Sequence, residues 1–314
     1  MADNPVLIAG RSNFKLAKGI ASEIGTSLTK CDIVNFSDGE IFCQIMENVR
    51  GGDVFVIQST STPVNNHLME MLIVMDAVKR ASARRITAVM PYFGYARQDR
   101  KVQSRTPITA RLVSDLITQA GADRLLFMDL HAGQIQGFFQ QPVDHLYSAP
   151  LVVDYLKSVG FDNIVIFSPD AGGVERARAY AKVLGCGLGI IDKRRVEKNV
   201  AKAMHIIGDV KEKNALIVDD MVDTAGTLTE AVKALMDAGA SSVSATATHP
   251  VLSGKAIDRI NNSELKQFIT TNSIDQTNRI AECPKIKVLD VAPIFAEAIE
   301  RIHLEKSVST LFDY

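Results

Sequence analysis

Short apolar runs rich in β-branched residues alternate along the chain with longer stretches whose apolar residues recur at helical spacing. Val54–Gln58 (VFVIQ) reads as a strand. Residues 66–81 (NHLMEMLIVMDAVKRA) carry apolar positions three and four apart and contain neither Gly nor Pro, which predicts a helix. RITAVM at 85–90 is a strand stopped by Pro91. Residues 125–128, 164–167, 216–218 and 243–247 are further short apolar strands, and 226–238 is a helix closed by Gly239 at its C′ position. Strands alternating with helices in this way predict an α/β fold built from βαβ units, with mainly parallel central sheets flanked by helices.

The pattern also repeats. Strand 53–58, polar loop, helix 66–81 and strand 85–90 recur about 160 residues later as strand 214–219, polar loop, helix 226–238 and strand 242–247. Any two βαβ units look alike, but the repeat offset is about half the chain, which predicts two similar domains with a boundary near Ser148–Pro150. The expected division is 1–147, 148–303 and a tail over 304–314. At about 150 residues per domain, 314 residues accommodate this division.

Composition narrows the class. Hydrophobic residues make up 46% of the chain and charged ones 23%, which argues for a globular protein and against disorder. Lys and Arg total 35 against 36 Asp and Glu, so there is no bulk attraction for nucleic acid or an acidic membrane. No apolar stretch approaches the length of a spanning helix, and the opening MADNPVLIAGR does not read as a signal peptide. Cys31, Cys43, Cys186 and Cys283 are scattered without CxxC spacing, which excludes a zinc cluster or dense disulfide framework and fits a reducing, cytoplasmic setting.

The strongest chemical signal is NALIVDDMVDTAGTLTEAVKAL at 214–235. An apolar strand runs into Asp219 and Asp220; Asp223, Thr224, Ala225, Gly226 and Thr227 follow, and a helix opens from them. The carboxyl ends of strands in such sheets are where ligands bind. Small residues at a helix N-terminus suit a phosphate, and paired carboxylates accept hydrogen bonds from a vicinal diol. The pattern is complementary to a sugar phosphate. A plain helix cap accounts for one polar residue there, not three Asp and two Thr around a glycine. The corresponding loop of the first half, QSTSTPVNN, has no acidic pair.

PYFGYARQDRK at 91–101 follows a strand and sets Tyr92, Phe93 and Tyr95 before Arg97, Asp99, Arg100 and Lys101. Aromatic faces stack bases and Arg binds phosphate bidentately; the alternative is a solvated charged loop. FSDGE at 36–40 reads as a turn. His131 and Asp170 each lie just after an apolar strand. KRRVEKNVAKA at 193–203 reads as a solvated cationic face. No GxxxxGK[ST] occurs, which disfavours a P-loop kinase, and GCGLG at 185–189 lacks GxGxxG spacing and reads as a helix end and turn.

With SDGE (37–40), PYFGYARQDRK (91–101), DLHAGQIQGFF (129–139), DKRR (192–195), VDDMVDTAGT (218–227) and SVSTLF (307–312) in this order, the chain resembles the ribose-phosphate diphosphokinases, also called phosphoribosyl pyrophosphate synthetases. It is most similar to their first, phosphate-responsive class. The sugar loop alone would also suit a phosphoribosyltransferase; the other motifs favour the synthetases. The resemblance implies two phosphoribosyltransferase-type domains, the first on the ATP side and the second on the ribose 5-phosphate side, with the tail near a subunit interface. It implies diphosphoryl transfer from ATP to the C1 hydroxyl of ribose 5-phosphate, giving AMP and 5-phospho-α-D-ribose 1-diphosphate for nucleotide biosynthesis.

By the same resemblance Phe36, Asp38, Gly39, Glu40, Arg97, Gln98, Asp99 and Lys101 bind ATP, the 36–40 loop serving a neighbouring subunit. Asp219, Asp220 and Asp223–Thr227, with Arg195, hold ribose 5-phosphate. Lys193 and Arg195 are catalytic, stabilising charge on the phosphoryl oxygens in flight. His131 and Asp170 carry Mg²⁺; on donor chemistry Asp170 suits that ion better, since it prefers oxygen. The assembly implied is a homo-oligomer, a hexamer, with phosphate and ADP as effectors at Asn48, Arg50, Arg105, Ser307 and Ser309; Asn48 stands where relatives usually have Ser. A non-catalytic paralogue or a nucleic-acid-binding regulator on the same fold would not need Lys193, Arg195, His131 and the sugar loop together.

Overall fold

The computed structural model describes residues 4–194 and 203–311. The described chain divides into two units: 4–147 with 273–275 and 290–311, and 148–272 with 276–289. In chain order the first contains β1 (Val6–Ala9), α1 (Phe14–Ile24), β2 (Cys31–Asn35), β3 (Ile41–Ile45), β4 (Asp53–Ile57), α2 (Val64–Arg80), β5 (Arg85–Met90), α3 (Thr109–Ala120), β6 (Arg124–Met128) and β7 (Val143–Leu146). The second contains α4 (Ala149–Ser158), β8 (Ile164–Ser168), α5 (Val174–Leu184), β9 (Gly187–Arg194), β10 (Ala203–Ile207), β11 (Asn214–Val222), α6 (Gly226–Asp237), β12 (Ser242–Pro250), α7 (Ala256–Asn261), β13 (Gln267–Thr271), α8 (Thr277–Ile280) and β14 (Ile286–Leu289). The last helix, α9 (Ala292–His303), belongs by its contacts to the first unit, although the sequence pattern counts it with the second half.

The first unit has a five-stranded parallel sheet in the order β1-β4-β5-β6-β7. Every residue of β4 is buried, as expected of a strand covered on both faces. One face packs Met71, Val74 and Val78 of α2 and Val113 and Ile117 of α3 over Val54, Val56 and Ala88. Helices α1 and α9 lie against each other, and Ile20, Phe295 and Ile299 are fully buried. Strands β2 and β3 form a separate antiparallel hairpin. The second unit has a seven-stranded sheet ordered β10-β9-β8-β11-β12-β13-β14, parallel except for β9–β10. One face packs α6 and α7 and the other packs α4 and α5. The α/β class with mainly parallel, helix-flanked sheets is as the sequence predicts. The repeated unit is also present, with β4–α2–β5 and β11–α6–β12 each pairing its two strands in parallel.

Two local readings change. Of the GCGLG segment only Gly185 ends a helix, at φ 63°; Gly187 and Gly189 lie in β9. A methyl at Gly189 would overlap the Phe167 ring, so that glycine lets two strands pack an aromatic between them. The scattered cysteines are also not all apart. Cys31 and Cys43 place their Sγ atoms 3.4 Å apart across the hairpin, both as free thiols. The contact with Cys43 is the largest of several effects that push the Cys31 thiol well above its ordinary range, and it holds Cys43 below its own.

A buried ion cluster joins α9 to the sheet. Asp53, with 1% of its side chain exposed, accepts from Arg85 Nε (2.8 Å) and Nη2 (2.6 Å), and His303 Nδ1 lies 2.9 Å away. Arg85 Nη2 also donates to Ile302 O at 2.9 Å. Burial opposes ionisation of Asp53, but its hydrogen bonds to Arg85 and His303 outweigh that and hold the carboxyl below its usual range. Removing one member of a buried pair strands the other, so Asp53→Asn is expected to cost about 3 kcal/mol in urea unfolding at pH 7. The sign of the pH dependence follows. The unfolded carboxyl titrates near 4, so the stabilisation is complete above about pH 5 and is lost as pH falls through the lower folded value. The variant's deficit is expected to shrink below about pH 4.

Candidate active site

In the second unit, β11 runs past the expected end at 219 to Val222. Its parallel pairing with β12 continues through Met221 opposite His249 and Val222 opposite Pro250, skipping Asp220. The two carboxylates are thus fixed by a sheet ladder rather than by a loop. Asp220 is buried, while about a third of the Asp219 side chain is exposed. Arg176 of α5 points Nη1 to both, 3.4 Å from Asp220 Oδ1 and 3.8 Å from Asp219 Oδ1. Burial, followed by the charge of Asp220, pushes Asp219 up to about 8, with Arg176 opposing. Burial and the neighbouring Asp220 thus disfavour a second negative charge at Asp219, a perturbation of the kind that clusters where ligands bind.

Between β11 and α6 the N-cap residue is Ala225, held at φ 60°, whose side chain makes no cap hydrogen bond. Asp223 Oδ1 instead accepts from Ser253 Oγ, and Thr224 O accepts from Arg259 Nη1 at 2.7 Å. A non-glycine residue in left-handed backbone is strained and is held there by its surroundings. The N-cap Ala225 has no polar side chain to offer the α6 amides, and the exposed Thr224 and Thr227 flank them. Such an end accepts an anion. Asp219, Asp220, Asp223, Thr224, Ala225, Gly226 and Thr227 are thus contiguous at one strand end. Sequence reasoning missed Arg176, Ser253 and Arg259, which lie on other elements.

The matching position of the first unit is filled. Gln58, Ser59, Thr60 and Ser61 are buried. Thr60 Oγ1 accepts from Gly94 N at 2.7 Å, Ser59 Oγ donates to Ser273 O at 2.6 Å, and a methyl at Gly94 would overlap Thr60 O. The Ser59 and Thr60 hydroxyls thus serve the protein's own backbone.

The 91–101 segment departs from the sequence reading. Tyr92 and Phe93 are buried, and the Phe93 ring lies 5.3 Å from Phe127 and 6.2 Å from Phe139. They are core residues rather than base-stacking ones. Arg97, Gln98, Arg100 and Lys101 are exposed. Gln98 is anchored, its Oε1 accepting from Thr109 Oγ1 at 2.5 Å. Asp99 Oδ2 accepts from Gln134 Nε2 at 3.1 Å, which brings this loop to the 129–139 segment. There Asp129 adopts φ 40°, Leu130 N donates to His145 Nε2 at 2.8 Å, and His131 is exposed. Phe36–Glu40 forms the tip of the β2–β3 hairpin. Phe36 N donates to Glu40 O, Glu40 N donates to Asp38 Oδ1, and Gly39 sits at φ 96°. Phe36 is exposed and lies 5.9 Å from the Phe42 ring.

Asp170 follows β8 in the second unit. Its Oδ1 accepts from Gly172 N (2.9 Å) and Gly173 N (3.0 Å), which fixes the carboxylate while it remains exposed. A pre-oriented carboxylate suits a hard cation. Among the described residues no group of three or more His, Cys, Asp or Glu is assembled to hold a metal. Lys193 lies in β9 with its backbone opposite Met204; Arg195 lies outside the described residues. Asn48 Oδ1 accepts from Arg50 N at 3.1 Å, Arg105 sits at φ 64°, and Ser309 N donates to Ser307 Oγ at 3.2 Å. No described helix is long and apolar enough to cross a membrane.

A strand-end carboxylate pair thus lies beside a helix N-terminus on a largely parallel α/β sheet. Comparisons with known proteins supply the family. Residues 5–121 match the model of the N-terminal domain of ribose phosphate pyrophosphokinase, and 194–313 match the phosphoribosyl synthetase-associated domain. The chain is 56% identical over 310 residues to a ribose-phosphate pyrophosphokinase of Clostridium tetani, covering 98% of this chain and 97% of that one. It is equally 56% identical over 307 residues to that of Bacillus caldolyticus, with the same coverage. A phosphoribosylpyrophosphate synthetase structure from Mycobacterium smegmatis superposes with a TM-score of 0.92 at 42% identity, covering 96% of this chain and all of that one. The chain belongs to the ribose-phosphate pyrophosphokinase family.

Proposed function

We propose that this protein transfers the diphosphoryl group of ATP to the C1 hydroxyl of ribose 5-phosphate, releasing AMP and 5-phospho-α-D-ribose 1-diphosphate. The observation that carries the reading is the α6 terminus, with alanine as its N-cap residue, set beside Asp219 and Asp220. The α6 amides and the hydroxyls of Thr224 and Thr227 receive the 5-phosphate, and the two aspartates accept from the ribose hydroxyls. The anomeric oxygen attacks the β-phosphorus of ATP in line. The new bond forms between O1 and Pβ, the C1 hydroxyl gives up its proton to solvent, the bond between Pβ and the α,β-bridging oxygen breaks, and AMP leaves with that oxygen. Positioning the two substrates supplies much of the rate.

On the nucleotide side, Phe36–Glu40 serves the base and Arg97, Gln98, Asp99 and Lys101 the triphosphate, the hairpin tip serving a neighbouring copy in a homo-oligomer, a hexamer. Lys193 and Arg195 meet the charge that builds on the phosphoryl oxygens. Mg²⁺, when bound, neutralises phosphate charge; Asp170 is the best-suited protein ligand and His131 the second. Phosphate activates and ADP inhibits through Asn48, Arg50, Arg105, Ser307 and Ser309, where the amide of Asn48 retains a donor for an anion. A phosphate titration of the initial rate is expected to rise; a flat response would remove the effector site.

The reaction is tested by mixing the protein with ATP, MgCl₂ and ribose 5-phosphate and following phosphorus NMR. AMP and a sugar diphosphate are expected to appear in equal amounts. ADP with a sugar bisphosphate would refute the assignment.

A further inference from the structure

Glu70 lies on the face of α2 that packs in the core, with only 1% of its side chain exposed. A buried carboxylate is costly unless fully partnered, and hydrophobic residues often replace such pairs without loss of stability. Its partners are specific. Oε1 accepts from Arg11 N at 2.6 Å and Gln58 Nε2 at 2.9 Å, and Oε2 accepts from Arg11 Nε at 2.6 Å. Gln58 Oε1 in turn accepts from Ser12 N and Ser12 Oγ. The backbone and the guanidinium of Arg11 are therefore both fixed at the carboxyl end of β1.

The remaining arm of that guanidinium leads elsewhere. Arg11 Nη1 donates to Asn35 Oδ1 at 2.7 Å, and Asn35 Nδ2 donates to Gly39 O at 3.1 Å. Asn35 ends β2, and Gly39 lies in the 36–40 tip. The chain entering the hairpin meets the five-stranded sheet at its base, where Leu28 bridges Leu7 and Thr29 N donates to Leu7 O at 2.8 Å, but β2 and β3 are not strands of that sheet, so its ladder does not reach the tip. The Glu70–Arg11–Asn35–Gly39 chain ties its tip to the buried framework of the unit.

We propose that Arg11 is a positioning residue for the nucleotide. Held by Glu70, it aims the 36–40 tip through Asn35 without touching either substrate. A planar guanidinium serves two acceptors in fixed directions at once, which an ammonium on a flexible stem does not. The inference rests on the reading of 36–40 as a nucleotide-contacting loop.

The test is steady-state kinetics on the full-length protein, varying each substrate at saturation in the other, with thermal unfolding in parallel. Arg11→Lys keeps a cation beside buried Glu70, and Asn35→Ala leaves the Arg11–Glu70 pair intact. Each is expected to raise the KM for ATP about 3–10-fold, the net worth of one ordinary hydrogen bond. The KM for ribose 5-phosphate is expected to stay within about two-fold, and the double variant to be no worse than the worse single one, because both break one relay. A parallel rise in both KM values, or additive effects, would overturn the proposal. Phe36→Ala separates the two layers. If it raises the KM for ATP while Arg11→Lys does not, the relay fails alone; if neither variant does, the loop assignment and the relay fail together.

Discussion

Replacing Lys193 with alanine is expected to lower kcat by about 10²–10³-fold, while the dissociation constant for ribose 5-phosphate stays within about three-fold. The expectation follows from where charge changes during the reaction. Both substrates are already anionic when bound, so a cation that serves them equally lowers KM without accelerating the step. Only a cation aimed at the oxygens around the β-phosphorus gains strength as the bridge to AMP breaks. Lys193 comes near the end of β9, on the segment leading to Arg195, whereas the groups proposed to hold the sugar lie on β11 and α6. Calorimetry of sugar phosphate binding beside single-turnover rates separates the two effects. Equal loss of rate and affinity would make Lys193 a ground-state contact.

The sequence reads these two units well where hydropathy carries the information and poorly where distant packing does. Strands β4 and β5 and the first part of β11 carry short apolar runs, β12 interleaves Val and Ala with Ser and Thr, and their parallel pairing follows from alternation with helices. The extension of β11 through Asp219 and Asp220 is invisible to hydropathy, because backbone pairing with β12 continues regardless of side-chain polarity. Tyr92 and Phe93 look like ligand aromatics beside charged residues, yet Phe127 and Phe139 from other segments close over Phe93. Arg176 sits in VERARAYAK, where nothing in the spacing separates it from a solvated helix face; only the fold aims it at the aspartates. Likewise α9 follows the second half in sequence, and its place beside α1 depends on tertiary contact.

The acidic pair carries the second large effect. Asp220→Asn is expected to weaken ribose 5-phosphate binding by about 10–100-fold, since a hydrogen bond to a charged group is worth about 1.5–3 kcal/mol. The buried Arg176 contact would be weakened with it. Asp219→Asn is expected to have a mixed outcome. It removes an acceptor, so binding falls, but it also removes a group that burial and Asp220 push up to about 8. In the unfolded chain that carboxyl ionises near 4. Between these values the folded chain keeps a proton that the unfolded chain releases, so its contribution to stability is full below about pH 4 and lost as pH rises toward about 8. Asp219→Asn is therefore expected to raise the unfolding midpoint of the unliganded protein at pH 8–9, on the order of 1 kcal/mol after allowing for partial solvent access. Denaturant unfolding at pH 5 and pH 9, with and without ribose 5-phosphate, checks both signs. A variant less stable at pH 9 would show that the two carboxylates do not oppose each other in the unliganded protein.

The most direct measurement of the central claim follows label from ATP into the sugar. With ATP labelled separately at the β- and γ-phosphorus, both labels are expected to enter the ribose product together and in equal amounts, with the α-phosphorus retained in AMP. Transfer of the γ label alone, or release of both labels as free pyrophosphate independent of sugar, would contradict it.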